Sequence, residues 1–186
     1  MKVKEIINNA LTLLGRADLA SKQDGETLSA EEAETLEILL YCYNAVEDEI
    51  ARCYFPLRCR EKASSATGRY NFFLLQHKPV RIVKVLADGK EKEFFMYPEY
   101  METDAKDIIL EYAYLPSKKE IDDDSEFSQQ IGGRLLAYGV ASEYSLIMGE
   151  VQSAEIWEGK YRKEIENLYT EEPSLSGGYI PPRRWV

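Results

Sequence analysis

Histidine occurs once in these 186 residues and cysteine three times, and 23 basic residues face 33 acidic ones. A single imidazole excludes multi-histidine metal sites and leaves little for acid–base work near neutral pH. A small, odd set of cysteines argues against a disulfide framework and for synthesis in a cytosol. The formal net charge of −10 argues against gripping a nucleic-acid backbone as the main task, because such proteins carry a basic face. No uninterrupted apolar run is long enough to span a bilayer. The opening MKVKEIINNALTLLG begins basic, but Glu5, Asn8 and Asn9 interrupt its apolar part, so it reads as a helix and not as a signal peptide. Also missing are a Gly-rich phosphate loop, a nucleophile elbow, HExxH and CxxC pairs, and internal repeats.

What is present is organised around Ser29–Tyr54. Leu36, Leu39, Leu40, Tyr43, Val46, Ile50 and Tyr54 recur at three- and four-residue steps, which lines them along one side of an α-helix. Glu34, Glu37, Glu47 and Asp48 fall on the opposite, solvated side. Ser29 and Glu32 have the spacing of a capping box. Acids in the first turn suit the positive end of the helix dipole, and Pro56 disfavours helical backbone at Phe55, which ends the run. An earlier helix is expected over Val3–Leu14, with Gly15 just beyond its end. Arg16–Leu28 is polar and holds the turn signal Gln23-Asp24-Gly25.

After Pro56 the periodicity shortens. Leu57–Ser64, Arg69–Leu75, Val80–Ala87, Lys90–Tyr97 and Asp107–Tyr114 are short runs rich in β-branched and aromatic residues. Asp88-Gly89 is a two-residue hairpin signal. Within Val80–Ala87 the alternation is imperfect, yet nearer to a period of two than of 3.6. Helical spacing returns from Ser125, with Phe127, Ile131, Leu135, Tyr138, Ala141, Tyr144 and Met148 on a stripe that Gly149 ends. Gly132, Gly133 and Gly139 each cost about 1 kcal/mol inside a helix; either another element approaches closely there or the helix starts only at Arg134. Val151–Tyr169 is a fourth helix, with Ala154, Trp157, Tyr161, Ile165 and Leu168 on one side. The pattern implies an α+β fold: a mainly helical bundle of about four helices, with a small antiparallel β-sheet inserted between helices 2 and 3. One domain is expected over 1–169, with its β insertion at about 57–116, followed by an extended C-terminal tail over 170–186.

Candidate chemistry is sparse. His77 lies in an inter-strand loop where a general base is conceivable, but no nucleophile accompanies it in sequence, so it reads as a solvated loop residue. Cys42 reads as a small core residue. Cys53 and Cys59 straddle a helix end, too few for a structural zinc site. Glu120, Asp122, Asp123, Asp124 and Glu126 lack the ligand spacing of a calcium loop and read as an N-terminal cap for the following helix. No catalytic, cofactor or metal site is expected. The tail differs: residues 173–186 carry Arg183 and Arg184 and no acid. Tyr179, Arg183, Arg184 and Trp185 form a candidate docking strand, the tryptophan as anchor and the arginines as charge partners. Extended, the tail reaches on the order of 50 Å.

The order of these elements resembles that of bacteriophage head–tail adaptor (connector) proteins, in particular the tail tubular protein A type of short-tailed phages. The resemblance runs through about residues 31–168. It rests on Glu32–Leu39 leading to Asn44, Ile50 and the aromatic pair Tyr54-Phe55, on Ile108–Tyr114 followed by an acidic linker, and on the small residues of Ala137–Tyr144. Its last piece is Ala154, Trp157, Tyr161 and Leu168, in A-x-x-W-x-x-x-Y spacing. The closing PPRRWV departs from the family pattern, so the docking role of the tail is inferred from its residues alone. The resemblance implies a virion structural protein at the neck, assembled in the bacterial host cytoplasm as a ring, typically of about twelve copies. Its partners would be the portal protein, its own copies and the tail (nozzle or tail-tube) proteins. Genomic DNA would pass through an acidic lumen without specific binding, and no membrane would be involved. A monomeric helical-bundle interaction module and a small hydrolase using His77 are the competing readings.

Overall fold

The structure is a computed structural model and describes residues 1–22, 28–127 and 131–171. Among them the chain forms five α-helices and two antiparallel sheets, of four and three strands. It is a mixed α+β protein. Its contacts divide into two compact units, Met1–Glu49 with Ser117–Val186, and Ile50–Pro116.

The first unit holds the helices. α1 (Val3–Leu13) buries Val3, Ile6, Ile7, Ala10 and Leu11. It closes as the glycine predicts: Gly15 has φ +75°, its N–H donates to Thr12 O, and Arg16 N–H donates to Leu11 O, a Schellman pattern. α2 (Ala17–Lys22) is a short helix within what the sequence presents as a polar turn. α3 (Ala30–Glu49) opens on the expected capping box, Ser29 N–H donating to Glu32 Oε2 at 2.8 Å and Glu32 N–H to Ser29 Oγ at 3.2 Å. Lys22 Nζ lies 2.7 Å from Glu32 Oε1. Those contacts, the lysine first, hold the Glu32 carboxyl down to about 2.

α4 (Gly133–Ile147) packs against α1, α3 and α5 (Val151–Glu171). It starts at Gly133 and not at Ser125, so the later of the two expected starts applies. Close approach explains a glycine further along. A Cβ on Gly139 would sit 2.7 Å from Val46 Cγ1 and 3.0 Å from Tyr161 Cε2. Of the A-x-x-W-x-x-x-Y residues, Ala154 and Tyr161 are buried, while Trp157 is half-buried and stacks on Tyr138.

The second unit begins with a single π-helical turn, Ile50–Tyr54, closed by Phe55 N–H donating to Ile50 O. The four-stranded sheet has the order β1 (Leu57–Ser64), β7 (Asp107–Tyr114), β3 (Pro79–Ala87), β4 (Lys90–Glu91). Asp88 (φ 51°) and Gly89 (φ +75°) make the β3–β4 turn. The smaller sheet has the order β2 (Arg69–Asn71), β6 (Tyr100–Glu102), β5 (Phe95–Met96). A core of Tyr70, Phe72, Ile82, Val85, Met101, Ile108, Leu110 and Tyr112 lies within this unit. The run expected over Lys90–Tyr97 is split into β4 and β5, and that over Arg69–Leu75 ends in a 3-10 turn, Phe72–Leu74.

Candidate interaction surfaces

Tyr179, Arg183, Arg184 and Trp185, the docking residues read from the sequence, lie outside the described residues. The other candidates have definite places. His77 stacks its ring on Tyr114, with centroids 3.9 Å apart and planes 12° from parallel, and its backbone N–H donates to Tyr112 Oη at 3.1 Å. Tyr112 Oη in turn donates to Glu61 Oε1. Burial, and next the Glu61 carboxylate, push that phenol far up, so it stays a proton donor across the physiological range. The arrangement ties the loop between β2 and β3 to β1 and β7, with the Cys59 thiol 3.8 Å from Gln76 Oε1 beside it. Cys42 is buried, as expected, and burial with the Glu143 charge pushes its thiol to about 12. Cys53 is exposed and Cys59 half-buried. Among the described residues, no group of three or more His, Cys, Asp and Glu side chains is placed to hold a metal ion.

The acidic segment does not cap the helix that follows it. α4 begins nine residues after Asp124, and the segment serves α1 instead. Val3 N–H donates to Asp123 O and Lys4 N–H to Ile121 O, both at 3.0 Å. Lys2 Nζ reaches Asp124 Oδ2 at 3.0 Å. The orphan N–H groups of a first turn need acceptors wherever they come from, and here backbone carbonyls from far along the chain supply them.

Glu47 also departs from expectation. Its position on α3 puts it among exposed carboxylates by helical spacing, yet it is 1% exposed. Oε1 accepts from Tyr43 Oη (2.8 Å), Ser125 Oγ (3.0 Å) and Glu126 N–H (3.0 Å). Oε2 is buried and meets no hydrogen-bond partner among the described residues. Burial raises the Glu47 carboxyl above its usual range, against the pull of those hydrogen bonds. One turn earlier, Asn44 exchanges bonds with the backbone of Lys119: Lys119 N–H donates to Oδ1 at 2.7 Å and Nδ2 donates to Lys119 O at 3.1 Å. Asn44 and Glu47 together fasten the acidic segment to α3. Only the partners at residues 119–126 explain them, and no local pattern in the sequence points there.

Among the described residues, exposed apolar side chains gather on two surfaces in particular. On the smaller sheet, the register Phe95↔Glu102↔Arg69 and the approach of Tyr97 to Tyr100 put these side chains on one face. Arg69 lies 3.5 Å over the Tyr100 ring, and Tyr100 stacks on Tyr97 with centroids 4.5 Å apart. Phe95 is 71% exposed. Met96 on the same edge strand, and Phe73 and Leu74 in the 3-10 turn, are exposed as well. Beside Phe95 lies an open depression of about 600 Å³ rimmed by Glu91, Glu93, Glu102 and Asp104. Arginine, tyrosine and phenylalanine in one exposed patch on a sheet edge have the composition of a protein-docking surface.

The second surface is in the helical unit. Ile147, Met148 and Val151, around the α4–α5 turn, are each about half exposed. Met148 therefore leaves the buried stripe on which its spacing placed it. Gly149 has φ +77° and ends the helix there. No helix among the described residues is long and apolar enough to cross a membrane. No family model matches the sequence, and no curated protein matches it.

Proposed function

We propose that this chain is a virion structural protein, a head–tail adaptor that assembles as a ring under the portal, extends the DNA channel and joins the capsid vertex to the tail. The observation that carries the reading is the Arg69–Tyr100–Tyr97 ladder beside exposed Phe95 on an edge strand. Such a patch costs solubility when bare and contributes most when another chain covers it. It sits in a β insertion between two helical stretches, the place where the family resemblance puts such an insertion.

α5 runs to Glu171, two residues past the boundary expected from the sequence; under this reading the helical bundle and β insertion act as one adaptor body, and the residues that follow α5 dock. The apolar surfaces meet neighbouring copies, the portal and the tail proteins. The excess of acid repels the DNA backbone, so the genome slides through the lumen without being held. The chain binds no cofactor, turns over no substrate, and works at the neck of the particle after assembly in the host cytoplasm. Arg183, Arg184, Tyr179 and Trp185 engage the portal or an adjacent subunit; deleting residues 174–186 should abolish binding to portal rings, and unchanged binding would remove that assignment.

The reading is tested by paired substitutions in the assembling particle. Phe95→Ser with Tyr100→Ala should leave folded protein that no longer joins particles, whereas His77→Ala should join them as the wild type does. A hydrolase reverses the pattern, losing its function with the imidazole and not with the aromatic patch.

A further inference from the structure

Charge is not spread evenly along the chain. The unit Ile50–Pro116 has 11 basic and 9 acidic residues, while the remainder has 12 basic and 24 acidic ones. The excess cations of the β unit gather on one face of the four-stranded sheet. Residues paired across strands share a face, and the register aligns Arg58 with Ala113 and Arg81, and Arg60 with Glu111 and Lys84. Lys62, opposite Ile109, extends the row. Five cations thus share the face with three carboxylates, Glu111, Asp107 opposite Ser64, and Glu91 opposite Leu86. Glu111 lies 3.7 Å from Arg58, and Lys84 is 3.4 Å from Glu91. Arg60, Lys62 and Arg81 are exposed and have no ion-pair partner among the described residues.

α3 carries the complement. Ala30, Glu34, Glu37, Tyr41, Ala45 and Asp48 fall within one narrow face at helical spacing. All but Asp48 are exposed, Tyr41 to 66%. Neither Glu34 nor Glu37 has an ion-pair partner among the described residues. The spacings also agree: successive outward cations on a strand stand about 6.7 Å apart, and Glu37 and Tyr41 about 6 Å apart along the helix. Half-buried Leu86 and Ile109 between the cations offer an apolar floor for the tyrosine.

We propose that the outer face of the four-stranded sheet docks the acidic face of α3 from a second copy of this chain, with Arg58, Arg60, Lys62 and Arg81 meeting Glu34 and Glu37 about Tyr41. The contact joins two different surfaces, so it is heterologous and propagates into a ring when its rotation closes. It rests on the adaptor reading only in naming the ring; the charge pairing stands on the two faces themselves. Exposed ion pairs are individually weak and salt-sensitive, so assembly is held off until copies are concentrated.

Sedimentation velocity of the full chain tests this across concentration, at about 0.02 M and about 0.5 M salt. The wild type should gain mass with concentration at low salt and lose that gain at high salt. Arg60→Glu/Lys62→Glu and Glu34→Lys/Glu37→Lys should each weaken association at least about tenfold, and an equimolar mixture of the two should recover it. Circular dichroism establishes that each variant is folded, and the neutral pair Arg60→Ala/Lys62→Ala provides a milder second variant. A wild type that stays monomeric, one-sided variants that associate normally, or a mixture that fails to recover overturns the proposal. So does binding of duplex DNA lost in the sheet variant while self-association persists, since nucleic acid would then be the occupant. Location of the protein in particles is measured separately. A neck protein whose charge reversals leave association intact refutes this interface and spares the adaptor reading.

Discussion

Glu47 and Glu32 lie on the same helix and respond to pH in opposite senses. The Glu47 carboxyl is raised by burial, so the folded state holds its proton more tightly than the unfolded chain does. Its contribution to stability is therefore fully present below the ordinary carboxylate value of about 4.3 and is lost as pH rises through the folded value. Glu47→Gln keeps acceptors for Tyr43 and Ser125 and removes the buried charge. It should raise the urea midpoint at neutral pH and flatten the pH dependence above about 4.3. Glu32, held down to about 2 by Lys22 and Ser29, stabilises above about 4.3 and loses that contribution as pH falls toward about 2. Glu32→Gln should lower the urea midpoint at neutral pH while making it less sensitive to acid. Opposite results in either series would contradict the assigned environments. At Gly139 the effect is steric. Gly139→Ala should cost about 1–3 kcal/mol in denaturant melts. Combining it with Val46→Ala should cost less than the sum of the two, because the atom 2.7 Å from the added Cβ is removed.

At the scale of elements, the capping box is the clearest local device. Ser29→Ala should destabilise by about 0.5–2 kcal/mol in chemical denaturation, since the N–H of Glu32 then loses the Ser29 hydroxyl oxygen. Boundaries set by local chemistry were readable in the sequence: β1 and β7 match their expected ends to the residue, and Pro56 and Gly149 act where they stand. The imperfect alternation of Val80–Ala87 has a structural cause. The register of β3 against β7 shifts between Pro79 and Arg81 and again between Ile82 and Lys84. Each bulge moves the side-chain phase by one residue, so Ile82 and Val85 both face the core despite their odd spacing. What local chemistry did not set was not legible. β6 is three residues long and exists through its pairing with β2 and β5. Ser125 and Glu126, which bond Glu47, and the acceptors for α1 lie some 78 to 120 residues away, beyond any periodicity. The aromatic face escaped for the same reason: Arg69, Phe95 and Tyr100 become neighbours only once the three short strands pair.

At the scale of the molecule, a chain with an exposed aromatic ladder, an apolar helix corner and oppositely charged surfaces has far more to offer another protein than a small molecule. The central claim is that those surfaces hold this protein at the junction of a phage head and its tail. The direct measurement is electron microscopy of purified particles carrying a gold-labelled copy of the chain. The account predicts label confined to the neck, between the portal vertex and the tail; label on the capsid faces or the distal tail, or none in the particle, would contradict it.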